Sequence, residues 1–174
     1  MNNPIVRQLL NFIILLAIQV LILNHVRLFG FLNPNLYILA LLLLPMDMPK
    51  SAQYLIGFVT GFVVDVFLMT LGVHTTACLL LMVIRPYVMG LLSTNKKKDD
   101  KDAPIPSRKD IKWLSAFTLL MVLAHQTIVT MLEIFSFQRF GLTLLSIILN
   151  TFFTSLLILC AEYLFYTDKK LNNS

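Results

Sequence analysis

Long apolar runs, separated by short polar breaks, dominate the chain. The strongest runs cover roughly residues 8–28, 53–71, 73–92, 113–135 and 140–165. A helix of about 20 apolar residues is long enough to cross the hydrocarbon core of a bilayer. Lipid offers no hydrogen bonds to an exposed backbone, so such runs predict transmembrane helices rather than strands or loops.

A weaker apolar run extends from Leu36 to Met46, after the break Asn33-Pro34-Asn35. It is short for a hydrocarbon core of about 30 Å. Counted as a crossing helix over 34–46, it gives six transmembrane helices. The alternative is five crossings and one re-entrant piece. The predicted fold class is therefore all-α, a polytopic membrane bundle of about six helices in a single domain covering residues 1–174.

Composition supports a membrane protein. The chain has 174 residues, of which 57% are hydrophobic and 13% charged, and its mean hydropathy is +0.80. A soluble domain of this size could not bury that much apolar surface. The net charge of +5 comes from Lys and Arg that lie between and beside the apolar runs. That pattern indicates membrane orientation rather than nucleic-acid binding.

The distribution of Lys and Arg predicts the topology. The most hydrophilic stretch, 95–110, reads NKKKDDKDAPIPSRKD, and we expect a flexible loop over 93–112. The positive-inside rule places this loop and the C-terminus in the cytoplasm. With six crossings Arg27 faces outward, and with five crossings Arg7 takes its place. Charge therefore does not choose between the two models.

The most specific local pattern is GFVTGFVVD, with Gly57, Gly61 and Asp65 at successive spacings of four. Two glycines four residues apart allow a neighbouring helix to approach closely. An aspartate near the centre of a membrane helix costs about 2.5–3.5 kcal/mol, so Asp65 should face the bundle. We interpret these three residues as a helix-packing or partner face.

Four polar residues, on four different apolar runs, are predicted to share one depth near the bilayer midplane. The depth is calculated from a rise of about 1.5 Å per residue. The four residues are Gln19, Asp65, His125 and Asn150. One interpretation is a ligand pocket or proton-linked site. The other, which we favour, is interhelical hydrogen bonding worth about 0.6 kcal/mol per contact.

No pattern typical of catalysis or of a metal site occurs in the sequence. HExxH, GxSxG and paired-aspartate motifs are all missing, and Cys78 and Cys160 lie inside apolar runs without metal-ligand or disulfide spacing. We therefore expect a protein that is not an enzyme, with no catalytic residue, cofactor or metal. His74 is expected to be wetted near the outer boundary, and Arg85 to extend to the cytoplasmic headgroups.

The run from Gly57 to Val88 resembles the rod shape-determining protein MreD family. The matching features are the Gly-x3-Gly-x3-Asp helix, the LGVH at 71–74 and the apolar run that follows. The resemblance implies a fold like the S-components of energy-coupling vitamin transporters. It also implies a non-enzymatic role in the bacterial inner membrane, in the elongation complex that directs lateral peptidoglycan synthesis and cell shape.

The same resemblance implies particular partners. The expected partner is the bitopic shape protein MreC, with MreB and the RodA and transpeptidase pair nearby, and the protein could form homo- or hetero-oligomers. A different class of function remains open, namely a small-solute or vitamin-binding transporter subunit that uses the midplane polar layer as its pocket.

Overall fold

The computed structural model describes residues 4–23, 34–45, 48–92, 111–133 and 140–171, with the side chains of 12–23, 34–45, 48–92, 112–133 and 141–162. These residues form six α-helices and no strand, so the chain is an all-α bundle. The helices are α1 (Pro4–Leu21), α2 (Tyr37–Leu42), α3 (Lys50–Leu68), α4 (Val73–Leu92), α5 (Ile111–Glu133) and α6 (Phe140–Leu171).

Four of the helices are long and apolar enough to cross a membrane. The spans are Lys50–Leu68, Val73–Leu92, Lys112–Glu133 and Gly141–Glu162, with a shorter apolar stretch at Phe12–Leu21. Many large apolar side chains on these helices are exposed, including Phe62 and Phe152, as expected of a surface that faces lipid. The chain is a membrane protein.

Neighbouring helices along the chain pack together, α3 on α4, α4 on α5, and α5 on α6. The connection between α3 and α4 is a tight turn over 69–72. Met69 ends α3 with a φ of 55°, and Gly72 precedes α4 with a φ of 80°. Both lie in the left-handed region that commonly ends a helix. The two helices therefore form an antiparallel hairpin, with the turn at one end of the bundle.

Helix α2 lies inside the bundle, not at its surface. All six of its residues are 0–4% exposed. They pack against apolar side chains from other helices, including Leu15 of α1, Leu81 of α4 and Met121 of α5. Six residues rise only about 9 Å, far less than a hydrocarbon core. Within the predicted crossing over 34–46, the helix therefore covers only Tyr37–Leu42 and is shorter than predicted.

The segment that contains α2 nevertheless runs through much of the bundle. Tyr37 contacts His74, at the start of α4, whereas the carbonyl of Leu44 contacts Arg85. His74 and Arg85 are eleven positions apart, which corresponds to about 16 Å along α4. Residues 37–44 therefore run parallel to α4, inside the bundle. This path favours the six-passage alternative, with a buried short helix in place of one lipid-facing helix.

Two further contacts fix the directions of α1 and α5. Gln19, near the end of α1, bonds to the backbone at Tyr37. His125, about 21 Å along α5 at 1.5 Å per residue, shares the Tyr37 hydroxyl with His74. Both facts place the end of α1 and the later half of α5 near the 69–72 turn. Helices α1, α3 and α5 therefore begin at the opposite end.

Candidate functional site

Gly57 and Gly61 lie where α3 and α4 approach each other most closely. A Cβ atom added to Gly61 would lie 2.6 Å from the carbonyl oxygen of His74 and 2.7 Å from the amide nitrogen of Thr75. A Cβ atom on Gly57 would lie 2.9 Å from Cγ of Met82. The two glycines therefore pack against α4 within the chain, as the helix-packing interpretation expects. Because α4 covers them, the interpretation as a partner face stays a prediction that these contacts do not support.

Asp65 caps the first turn of α4 from the neighbouring helix. Its Oδ1 accepts hydrogen bonds from the Thr70 hydroxyl and from the His74 amide, the latter at 3.0 Å. Its Oδ2 accepts from the Thr75 amide at 2.8 Å and from the Thr75 hydroxyl at 2.6 Å. Amides in the first turn of a helix lack partners within the helix, and a carboxylate there also complements the helix dipole. The carboxylate therefore stabilises the end of a helix.

The position of Asp65 differs from the sequence-based prediction. It precedes the last residue of α3, Leu68, by three positions, which is about 4.5 Å. Asp65 is therefore close to the end of its helix, not near its middle. It is buried, as predicted, but it does not belong to a layer at half depth.

Gln19 performs a similar role at the start of α2. Its side-chain oxygen accepts hydrogen bonds from the amides of Leu36, at 2.6 Å, and Tyr37, at 3.4 Å. Its side-chain nitrogen donates to the carbonyl of Pro34 at 3.2 Å. These are backbone groups that a six-residue helix cannot satisfy by itself. One side chain of α1 thus holds the beginning of the buried helix.

Tyr37 stands at the centre of the buried polar contacts. Its hydroxyl lies 2.9 Å from Nδ1 of His74 and 2.9 Å from Nε2 of His125. Because a phenol carries a single proton, it can donate to only one of the two imidazoles and must accept from the other. His74 is buried in this contact, so the expectation that it is wetted was wrong.

A second group of polar contacts joins the start of α2 to α5 and α6. The side-chain nitrogen of Asn35 donates to Gln126 Oε1 at 3.3 Å. The hydroxyl oxygen of Thr154 accepts from the Asn35 amide and from Gln126 Nε2, each at 3.3 Å. The three residues come from α5, α6 and the segment before α2, so they fix the relative positions of these elements.

Arg85 holds the other end of α2. Its guanidinium donates from Nη1 to Gln53 Oε1 at 3.3 Å and from Nη2 to the Leu42 carbonyl at 3.2 Å and to the Leu44 carbonyl. Only 1% of the residue is exposed, so the expected extension to the headgroups was wrong. Carbonyls at the end of a helix carry partial negative charge, and a cation is therefore favourable at this position.

The four residues of the predicted midplane layer do not form one pocket. Gln19 and His125 both reach Tyr37, and Asp65 is joined to them through the backbone of His74. Asn150 donates to the backbone and hydroxyl oxygens of Ser146, one turn earlier in α6. Asp65 and Gln19 instead bond to the starts of α4 and α2, whereas Asn150 bonds within α6.

Sequence reasoning missed Tyr37, Gln126 and the cap formed by Arg85. The available signal was the presence of these polar side chains within apolar segments. Hydropathy alone does not show which side of a segment meets protein. A segment surrounded by lipid and a segment surrounded by protein, such as the one that contains Tyr37, both have an apolar sequence.

An open cavity of about 770 Å³ lies at the turn between α3 and α4. Its walls are largely apolar and include Phe58 and Phe62, whose rings stack with centroids 6.0 Å apart. Asp65 also lines it, but both carboxylate oxygens are already hydrogen-bonded. In the described part of the chain, no group of three or more His, Cys, Asp or Glu residues could hold a metal ion.

No protein-family model, no curated protein and no solved structure matches the chain. The family resemblance over residues 57–88, and the likeness to S-components that it implies, therefore remain predictions.

Proposed function

We propose that the protein is a non-enzymatic membrane component of the bacterial cell-elongation complex, of the MreD type. The observation that carries the proposal is the use of the buried polar side chains. Asp65, Gln19 and Arg85 each stabilise the end of a helix contributed by another part of the chain. Their hydrogen-bonding groups serve the fold, as expected of a rigid scaffold.

The residues of the family resemblance have structural roles in one hairpin. Gly57 and Gly61 allow α3 to approach α4, and Asp65 caps α4 at His74 and Thr75. A pattern that builds a hairpin would be retained wherever the same hairpin is needed. This supports a shared fold with the family, and through it the proposed role.

The proposal includes a location and partners. The protein spans the inner membrane several times, with the 93–112 loop and the C-terminus in the cytoplasm. It supports lateral peptidoglycan synthesis by binding the bitopic protein MreC, with MreB and the RodA and transpeptidase pair nearby. Since the Gly57–Gly61 face is occupied by α4, a partner helix would bind one of the exposed apolar faces.

Site-specific photo-crosslinking in native membranes tests the proposal. A photoreactive amino acid would replace exposed residues on two faces, Phe62 of α3 and Phe152 of α6. A matched control at Met121, which is fully buried, should give no intermolecular product. We expect at least one exposed position to capture a bitopic protein with a periplasmic coiled coil. Failure of positions on every exposed helix face to capture such a protein would contradict the proposal.

The buried cluster around Tyr37 favours one alternative function, a vitamin- or solute-binding transporter subunit. Gln19, His74 and His125 all reach Tyr37, and such groups can recognise a polar ligand. In the alternative, a vitamin would stabilise the purified protein against heat, and His125→Ala would abolish the effect. In our proposal, a panel of vitamins and metal ions leaves the unfolding temperature unchanged.

A further inference from the structure

The cavity at the α3–α4 turn has its polar side chains at one end only. Phe58 and Phe62 of its lining precede Leu68, the last residue of α3, by ten and six positions. These separations correspond to about 15 and 9 Å along the helix. The polar side chains of the lining all lie nearer the turn, and they are those of Asp65, Thr70, Thr75 and Thr76. The cavity is therefore apolar along α3 and partly polar at the end of the bundle.

The apolar part of the cavity faces the surroundings of the protein. Phe58 is 44% and Phe62 54% exposed, on a helix that is long and apolar enough to cross a membrane. When such a helix crosses, its exposed side chains meet hydrocarbon and its end reaches the level of the lipid headgroups. An occupant of the cavity therefore has an apolar body beside the two rings and a polar group near the turn. A membrane lipid has this construction.

The three threonine hydroxyl groups of the cavity can accept hydrogen bonds from a ligand but cannot donate to it. The hydroxyls of Thr70 and Thr75 both donate to Asp65, and that of Thr76 donates to the carbonyl of Gly72 at 2.8 Å. A hydroxyl group carries one proton and two acceptor lone pairs. These side chains therefore suit a headgroup that donates hydrogen bonds.

Asp65 adds a negative charge to the same end of the cavity. Each of its carboxylate oxygens accepts two hydrogen bonds, which is the pattern of an ionised carboxylate, since a protonated one would donate from one oxygen. The groups that make these bonds are neutral hydroxyls and amides. In surroundings of low dielectric constant, such a charge attracts a cation over several ångströms. A cation with N–H donors is therefore the headgroup that fits best.

We propose that this cavity binds one phospholipid with a primary ammonium headgroup, namely a phosphatidylethanolamine. An acyl chain lies against Phe58 and Phe62, and the ammonium group donates to the threonine hydroxyls near Asp65. The inference does not depend on the proposed function, because it follows from the α3–α4 hairpin and its position in a membrane.

Native mass spectrometry of the full chain in detergent tests the choice of headgroup with three phospholipids of identical acyl chains. Phosphatidylcholine keeps the cation of phosphatidylethanolamine but has no N–H donor, and phosphatidylglycerol has no cation. We expect one bound phosphatidylethanolamine per chain, held about tenfold more tightly than phosphatidylcholine, since one hydrogen bond to a charged group is lost. Phosphatidylglycerol should bind most weakly. If either comparison lipid binds as tightly as phosphatidylethanolamine, the proposal is overturned.

Two variants test the location of the site in the same measurement. Phe62→Ala removes part of the apolar wall and should weaken phosphatidylethanolamine binding about tenfold, the effect of losing one buried aromatic contact. The matched control is Phe152→Ala, because Phe152 is 60% exposed on α6 and does not line the cavity; it should leave binding unchanged. Thr76→Lys places a cation at the polar end and should reverse the preference in favour of phosphatidylglycerol. Equal binding by Phe62→Ala and Phe152→Ala would contradict the proposed location.

Photo-crosslinking in native membranes separates a lipid from a protein as the occupant. A photoreactive residue in place of Phe58 should capture phosphatidylethanolamine in a larger proportion of its lipid products than one in place of Phe152. Equal proportions at the two positions would count against a selective site. Capture of a partner protein at Phe58 in place of lipid would overturn the inference and leave the proposed function standing.

Discussion

At the scale of single residues, the buried polar side chains act on the backbone of neighbouring segments. Asp65 accepts from amides at the start of α4, Gln19 from amides at the start of α2, and Arg85 donates to carbonyls after α2. In water, such groups could be hydrated. Within a bilayer, no water replaces a missing partner, so a helix that begins or ends inside the bundle needs a side chain from elsewhere.

Substitution of Asp65 by Asn tests its role as a cap. Asparagine keeps the size of aspartate but replaces one of the two acceptor oxygens with an NH2 group. That group is a donor, and it would face backbone amides of α4 that also donate. We expect Asp65→Asn to lower the free energy of unfolding by about 1–3 kcal/mol, measured by denaturation in detergent micelles. Thr76→Ala is the matched control, because Thr76 is exposed in the same turn of α4 and bonds only to the carbonyl of Gly72 among the described contacts. Equal effects of the two changes would refute the cap.

The burial of Asp65 could be predicted from sequence, but its depth could not. The energetic cost of an aspartate in lipid requires that it face the bundle, as observed. The apolar run continues through Met69 and Leu71, so hydropathy extended the predicted helix to 71. The left-handed backbone of Met69 ends α3 earlier, at Leu68. A change of this kind depends on local backbone geometry, which an apolar pattern does not encode.

At the scale of elements, α2 is a short helix held from both ends. Gln19 bonds to its start, and Arg85 bonds to the carbonyls of Leu42 and Leu44 near its end. Hydropathy correctly identified residues 36–46 as apolar. It could not show that protein rather than lipid surrounds them, because both environments select the same side chains.

Replacement of Arg85 should weaken the attachment of the end of α2 to α4. Arg85→Met retains much of the volume but removes the donors to Leu42 and Leu44. In a Cys160→Ser background, a cysteine introduced at Ala40, which is 4% exposed, should resist a maleimide. We expect its labelling rate to rise at least about tenfold with Arg85→Met, since a loss of 1.4 kcal/mol changes an opening equilibrium by that factor. The same protection in both proteins would contradict the proposed anchoring.

Because Cys78 remains in that background, its labelling must be measured separately. Cys78 is fully buried on α4, so the Cys160→Ser protein without the Ala40 change supplies the baseline. Arg85→Lys provides a graded comparison, since lysine keeps the charge but offers a more compact group of donors. We expect its labelling rate to lie between those of the parent protein and Arg85→Met.

The packing of α3 against α4 predicts stability changes of opposite sign for alanine substitutions at two glycines. A methyl group on Gly61 would meet the backbone of α4 at Thr75, whereas one on Gly90 would meet nothing within 4 Å. We expect Gly61→Ala to destabilise the protein by about 1–3 kcal/mol. Gly90→Ala should stabilise it by up to about 1 kcal/mol, because glycine is unfavourable inside a helix. Thermal unfolding of the two variants decides the matter, and equal shifts would contradict the close approach.

At the scale of the whole molecule, the polar contacts determine directions that charge left open. Lys and Arg positions support five and six crossings equally well. The bonds of Tyr37 to Gln19, His74 and His125 place the end of α1, the start of α4 and the later part of α5 close together. The general fold class could thus be predicted from sequence, whereas the order of passages depends on specific long-range contacts.

These directions predict which parts of the chain face the same side of the membrane. The starts of α3 and α5, marked by Lys50 and Lys112, lie at one end of the bundle, and Leu71 in the α3–α4 turn lies at the other. Cysteines introduced one at a time at these positions, in a Cys160→Ser background that keeps only the buried Cys78, can be tested with a membrane-impermeant thiol reagent. The positive-inside rule assigns the lysine end to the cytoplasm. We therefore expect Leu71→Cys to react in intact spheroplasts, and Lys50→Cys and Lys112→Cys to react only after permeabilisation.

The two possible departures from this result have different meanings. If the lysine positions react in intact spheroplasts and Leu71→Cys does not, the orientation is reversed but the path of the chain stands. If Lys50→Cys and Leu71→Cys react from the same side, α3 does not cross the membrane and the bundle itself is wrong. The fully exposed side chain of Leu71 makes the first outcome informative, because burial within the protein cannot account for a failure of Leu71→Cys to react. The labelling pattern thus tests the path of the chain separately from its orientation.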